Sequence, residues 1–115
     1  MSTIVLTIGA QSLPIQLLER PYTQALMAQL PLALSWEDFA ASEKIAYLPT
    51  PLDTRLAPDG CDAKAGDLAY YAPWGNLALF YQDTGYARGL IHLGKCDGDI
   101  DRFLTLDWER ASLSI

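Results

Sequence analysis

The sequence lacks the features that mark several classes of protein. No apolar run approaches the ~18 residues that a membrane-spanning helix needs. Met1 to Ala10 carries neither a basic stretch nor a long apolar core, so no secretory leader is expected there. Cysteine is confined to Cys61 and Cys96. Two cysteines make no disulfide framework, and reduced thiols in a cytoplasmic protein are the expectation. Basic residues are outnumbered: eight Lys and Arg against fourteen Asp and Glu give a formal net charge of −6. A chain of that sign repels phosphate backbones and anionic bilayers, so neither nucleic acid nor membrane is expected as a partner. Glycine cradles of the forms G-x-x-x-x-G-K-[ST] and G-x-G-x-x-G are missing, and no cofactor is assigned.

What is present suits one domain over residues 1–115. Half of the 115 residues are hydrophobic and 19% are charged, a globular composition in a chain long enough to bury about two-thirds of its surface. Ile4 to Ile8, the turn Gly9 to Ser12, and the alternation of Leu13, Ile15 and Leu17 predict a hairpin. Pro21 suits the first position of a helix whose stripe is Tyr22, Leu26 and Leu30, ended by Pro31 after about three turns. Leu32, Leu34 and Trp36 alternate as a third strand. Glu37 to Glu43 reads as a polar connection, and Lys44 to Leu48 as a fourth strand.

From Pro49 to Gly66 the pattern dissolves into a long Pro-rich loop, the expected lid of any pocket. Asp67 to Ala72, the turn Pro73 to Asn76, and Leu77 to Tyr81 form a second hairpin. Gln82 to Gly89 is a second loop, and Leu90 to Gly94 a seventh strand. Leu104, Leu106 and Trp108 share one parity, whereas Ala111, Leu113 and Ile115 share the other. That slip predicts one long strand over 105–115, bent by a bulge near Glu109 and Arg110. Eight short antiparallel strands with one or two short helices suit a mainly β chain closed into a barrel.

Gly66-Asp67-Leu68-Ala69-Tyr70-Tyr71, Gly75-Asn76-Leu77-Ala78-Leu79-Phe80-Tyr81, Leu93-Gly94-Lys95 and Ala46-Tyr47-Leu48-Pro49 carry a resemblance over nearly the whole chain. The sequence is similar to a small bacterial family of cyclophilin-like domains, relatives of the cyclophilin-type peptidyl-prolyl isomerases. The resemblance implies the closed eight-stranded cyclophilin-like barrel and places Phe80 as a pocket-lining aromatic. It also implies an arginine in the stretch Leu32 to Tyr47, where isomerases of that type carry one; this stretch contains none.

Other constellations are weak. Asp97, Asp99 and Asp101 stand at alternate positions, as in a calcium loop. However, Arg102 replaces the turn glycine and Trp108 the bidentate glutamate, so no metal site is assigned. Asp99 reads instead as the cap of a short helical turn through Leu104. His92 is the single histidine, and no G-x-S-x-G elbow accompanies it. Cys96 would share a strand face with His92 but ~13 Å away. No catalytic residue is assigned.

The second half of the chain gathers aromatic residues. Most belong in a core, but Tyr47, Trp74 and Tyr86 fall near strand ends and loops. Arg55 and Arg88 are the cations best placed to join them. With Phe80, these six form the expected ligand-binding set. The expectation is a domain binding a peptide or small organic molecule in an aromatic groove. A divergent prolyl isomerase and a non-enzymatic protein-interaction domain, working through its outer surface or as a homodimer, are the alternatives.

Overall fold

The structure, a computed structural model, describes residues 2–115. It is mainly β: eleven strands, one α-helix and two 3-10 turns. Strand β1 (Ser2–Ile8) pairs along its whole length with β2 (Gln11–Leu17). Ile4 stands opposite Ile15 and Leu6 opposite Leu13, so all four side chains bury on one face. Pro14 lies within β2 without cost to the ladder. Its carbonyl accepts from Asp97 N–H, which shows that its backbone polar groups face away from β1.

Helix α1 (Pro21–Met27) opens on Pro21, with the Thr23 hydroxyl accepting the Arg20 N–H at 3.0 Å. It runs two turns rather than three: beyond Met27 the N–H groups of Gln29 and Leu30 bond only three residues back, to Leu26 O at 3.0 Å and Met27 O at 3.1 Å. Strand β3 (Leu32–Leu34) follows, then Ser35 and Trp36, then β4 (Glu37–Phe39) and β5 (Glu43–Tyr47). The segment 37–43, read as a connection, is therefore a hairpin. Ala40 and Ala41 occupy left-handed backbone at φ 55° and 52°, and Ser42 N–H closes the turn on Phe39 O at 3.1 Å. Alanine in that region is strained by about 1–2 kcal/mol per residue. The double change Ala40→Asn, Ala41→Gly should therefore raise unfolding stability by about 1–2 kcal/mol. A urea titration checks this, and an unchanged midpoint would show that the turn carries no strain.

The remaining strands are β6 (Gly60–Asp62), β7 (Asp67–Tyr71), β8 (Asn76–Phe80), β9 (Tyr86–Arg88), β10 (Leu90–Cys96) and β11 (Ala111–Ser114). Nine of the eleven strands form one curled sheet in the order β3-β11-β1-β2-β10-β7-β8-β5-β4, and β6 with β9 makes a separate ribbon. The expected closed eight-stranded barrel is thus corrected: the sheet is an open half-barrel with β3 and β4 as free edges. These two edges follow each other in the chain with no reversing turn, so they run end to end and do not pair. Three chain steps separate Leu34 from Glu37, which holds the edges within ~11 Å at that point. Trp36 fills this seam, buried edge-on against Trp108 with ring centroids 5.8 Å apart.

The long bent strand expected over 105–115 is also corrected. A 3-10 turn, Trp108–Arg110, capped by Asp107 accepting Glu109 N–H at 3.1 Å, separates Leu106 from β11 and accounts for the change of parity. The bulge lies instead in β10, where the register with β7 slips between His92 and Gly94. Asp99 does cap a short turn, Ile100–Phe103.

The concave face of the sheet holds the main core, with Tyr70, Leu68, Leu77, Leu79 and Leu93 among its fully buried members. The loop over 49–66 is tied into it: Leu52 N–H donates to the buried Tyr70 hydroxyl at 3.1 Å. The opposite face of β5, β8, β7 and β10 carries a second, smaller cluster of Ile45, Ala69, Ala78, Phe80 and Leu90. The β6–β9 ribbon, which closes two segments read as loops, packs on it through Ala63, Cys61 and Ala87. Among the described residues no helix is long and apolar enough to cross a membrane.

Candidate functional site

Strand register assembles a groove beside that ribbon. Phe39 on β4 stands opposite Glu43 on β5, and Glu43 opposite Phe80 on β8. Directly paired residues share a face, so these three side chains form a row across the sheet. Tyr71 on β7 has the same parity, through its pairing with Asn76. Between β7 and β8 the chain turns over Pro73–Gly75, with Gly75 at φ 72° and its N–H on Tyr71 O at 2.9 Å. That turn lays Trp74 back along the sheet toward Phe39. The far wall comes from the ribbon, at Thr84, Gly85 and Ala87.

The groove encloses about 280 Å³. Trp74 meets Phe39 at a centroid distance of 5.6 Å and 86°, and Tyr71 at 5.5 Å and 80°. Rings held near the perpendicular form two corners, an arrangement that the aromatic quadrupole favours. Trp74 remains 52% exposed and Phe39 41%, whereas Phe80 is buried beneath. The single charged lining residue is Glu43. Burial raises its carboxyl above the usual range and neighbouring Asp38 adds to this, against a hydrogen bond from Ser42 Oγ at 3.2 Å. Lys44 points through the sheet the other way, where it pairs with Asp38 at 3.5 Å. Asp38 also accepts the Tyr81 hydroxyl, which holds its carboxyl low. No arginine lines the groove.

The six residues expected to bind ligand do not all meet. Trp74 and Phe80 line this groove. Tyr47 has the same strand parity but sits exposed at the far end of β5, outside the lining. Tyr86 and Arg88 lie on the ribbon, and Tyr86 is 65% exposed with its hydroxyl against Gly60 rather than in the groove. Arg55 is remote, in a cleft of about 560 Å³ beside Pro21 and Ala25. There its guanidinium is held by Asp53 at 2.7 Å, which draws the Asp53 carboxyl below its usual range. Sequence reading missed Phe39 and Glu43, whose segment read as a polar connection. It also left out Tyr71, although the alternation of Asp67 to Tyr71 set Tyr71 and Tyr70 on opposite faces.

The nucleophile reading weakens further in three dimensions. The bulge turns Cys96 into the main core opposite Ile15, whereas His92 stands opposite Ala69 on the other face, so the expected shared face is corrected. Burial, with the nearby Asp67 charge, pushes the Cys96 thiol up to about 12. Cys61 is raised as well, by burial first. It lines a cleft of about 340 Å³ with His92, Arg20 and Tyr22. His92 Nε2 approaches Asp67 Oδ1 at 3.6 Å, too long for a hydrogen bond. Both cysteines are free. Among the described residues, no three His, Cys, Asp or Glu side chains are placed to hold a metal ion.

A protein-family model described as the Cyclophilin-like family matches residues 6–115. No curated protein matches the chain.

Proposed function

We propose that this chain, which belongs to the cyclophilin-like family, is a binding module that seats a small organic ligand or a peptide side chain in the groove of Phe39, Tyr71, Trp74 and Phe80. One observation carries the reading: three contiguous rings, two of them substantially exposed, wall a concave site whose centre is a buried fourth. Large exposed aromatic surface costs hydration free energy, which a ligand recovers. The volume stands at the small end of ligand pockets, near ~300 Å³, and favours a group the size of one side chain. Strain supports the same location. The two left-handed alanines are the turn that fixes Phe39 and Glu43 against each other, and such strain concentrates at ligand sites. Isomerase chemistry draws no support from a groove without arginine.

The test uses thermal shift with amino-acid amides and short peptides. Trp74→Ala changes a half-exposed ring, so the variant should fold with a loss of about 1 kcal/mol or less. A compound that raises the melting temperature of the parent should do so at least several-fold more weakly in the variant. Equal shifts in both proteins for every active compound would sink the reading.

A further inference from the structure

We infer that the groove selects a positively charged nitrogen, the alkylated ammonium group of a small molecule, with Glu43 as its counter-ion and the rings of Phe39, Tyr71 and Trp74 as its cage. The inference rests on the groove being a ligand site and names what it takes.

Four observations carry it. First, the walls are aromatic, and ring faces attract cations through their quadrupole most strongly where water is partly excluded. The two near-perpendicular corners around Trp74 present ring surface from several directions to one occupant. Second, the lining contains one charge and it is negative. Strand register puts Glu43 between Phe39 and Phe80 in a single row, so carboxylate and rings face the same space. Third, among the described residues Glu43 has no cationic partner: Lys44, its chain neighbour, is committed to Asp38 on the opposite face. Its one hydrogen bond comes from Ser42. A carboxylate half withdrawn from water without a counter-charge is costly, and an incoming cation relieves that cost. Fourth, the chain as a whole carries −6, which draws cations toward the surface and repels anionic competitors. The volume of about 280 Å³ suits an ammonium head with its methyl groups rather than an extended polymer.

Choline and its neutral isostere 3,3-dimethylbutan-1-ol, which have the same shape and differ in charge, separate this from the groove reading. Trp74 is the exposed tryptophan, with Trp36 and Trp108 buried, so intrinsic fluorescence reports on the groove. Choline should perturb it saturably, and about tenfold more tightly than the isostere. Glu43→Gln retains an acceptor for Ser42, and circular dichroism checks its fold. It should weaken choline by about the same factor and leave the isostere unchanged. Isostere binding as tight as choline, or choline binding indifferent to Glu43→Gln, overturns the cation inference and leaves the groove reading standing. If neither compound perturbs Trp74, the cation inference falls, and the groove reading is decided by the thermal-shift comparison of parent and Trp74→Ala.

Discussion

Trp36→Ala should destabilise the protein by about 4 kcal/mol, the middle of the range for truncating a buried aromatic. The residue is 2% exposed, and its indole Nε1 donates to Ala111 O at 3.1 Å. Its backbone N–H donates to Trp108 O at 2.9 Å. It therefore ties together the chain leaving β3, the 3-10 turn at Trp108 and the start of β11. No strand pairing spans the gap between the two edges of the sheet there, so the ring is what excludes water from the seam. Truncation leaves a cavity at a place with no ladder to collapse onto, and the Ala111 carbonyl loses its side-chain donor. Urea unfolding should show a much lower midpoint at unchanged slope. Trp36→Phe, which keeps most of the volume and loses the N–H, should cost roughly half as much. A loss below about 1 kcal/mol for the alanine variant would mean that the seam is not filled as described.

Gly94→Ala should cost about 3 kcal/mol, through overpacking rather than a cavity. A Cβ at this position would lie 2.1 Å from Gln16 O, a backbone atom that cannot swing away. Gly94 sits in the bulge of β10 and pairs with Leu17 on one side and Leu68 on the other. An added methyl therefore forces β2 and β10 apart. Gly85→Ala is the control: nothing lies within 4 Å of its added Cβ and its φ is not left-handed. Thermal unfolding should leave that variant near the parent and lower the Gly94 variant by many degrees. Similar behaviour of the two would show that β2 and β10 are not in close contact.

The parts of the fold that sequence made legible are those with local signals. The β1–β2 hairpin alternates in burial, the β7–β8 hairpin is two apolar runs around the Pro73–Gly75 turn, Pro21 marks the helix start, and Asp99 marks a cap. The parts it hid lack such signals. The β4–β5 turn uses Ala40 and Ala41 where Asn and Gly would announce it, so β4 read as a connection. The ribbon strands β6 and β9 are three residues each and find their partners across more than twenty intervening residues. Their pairing is tertiary, and no window of sequence contains it. Parity misled at the chain's end because a 3-10 turn and a bulge shift it alike. The site followed the same rule: Phe80 and Trp74 belong to a legible hairpin, whereas Phe39 and Glu43 belong to the hidden one.

The position of β11 has a consequence for how the chain acquires its fold. β11 pairs with β1 on one side and with β3 on the other, and it is the sole ladder partner of β3. During synthesis β1 and β2 leave the ribosome before the other strands, with an apolar face, the outer edge of β2 waiting for β10 and that of β1 for β11. The edge of β1 must wait until all the other strands have been made before Ala111 to Ser114 arrives to cover it. Contacts of such sequence separation make folding slow, and in the interval the unpaired edge of β1 is open to other chains. Newly made protein is thus more exposed to aggregation than the folded molecule, and the arrival of β11 decides when that exposure ends.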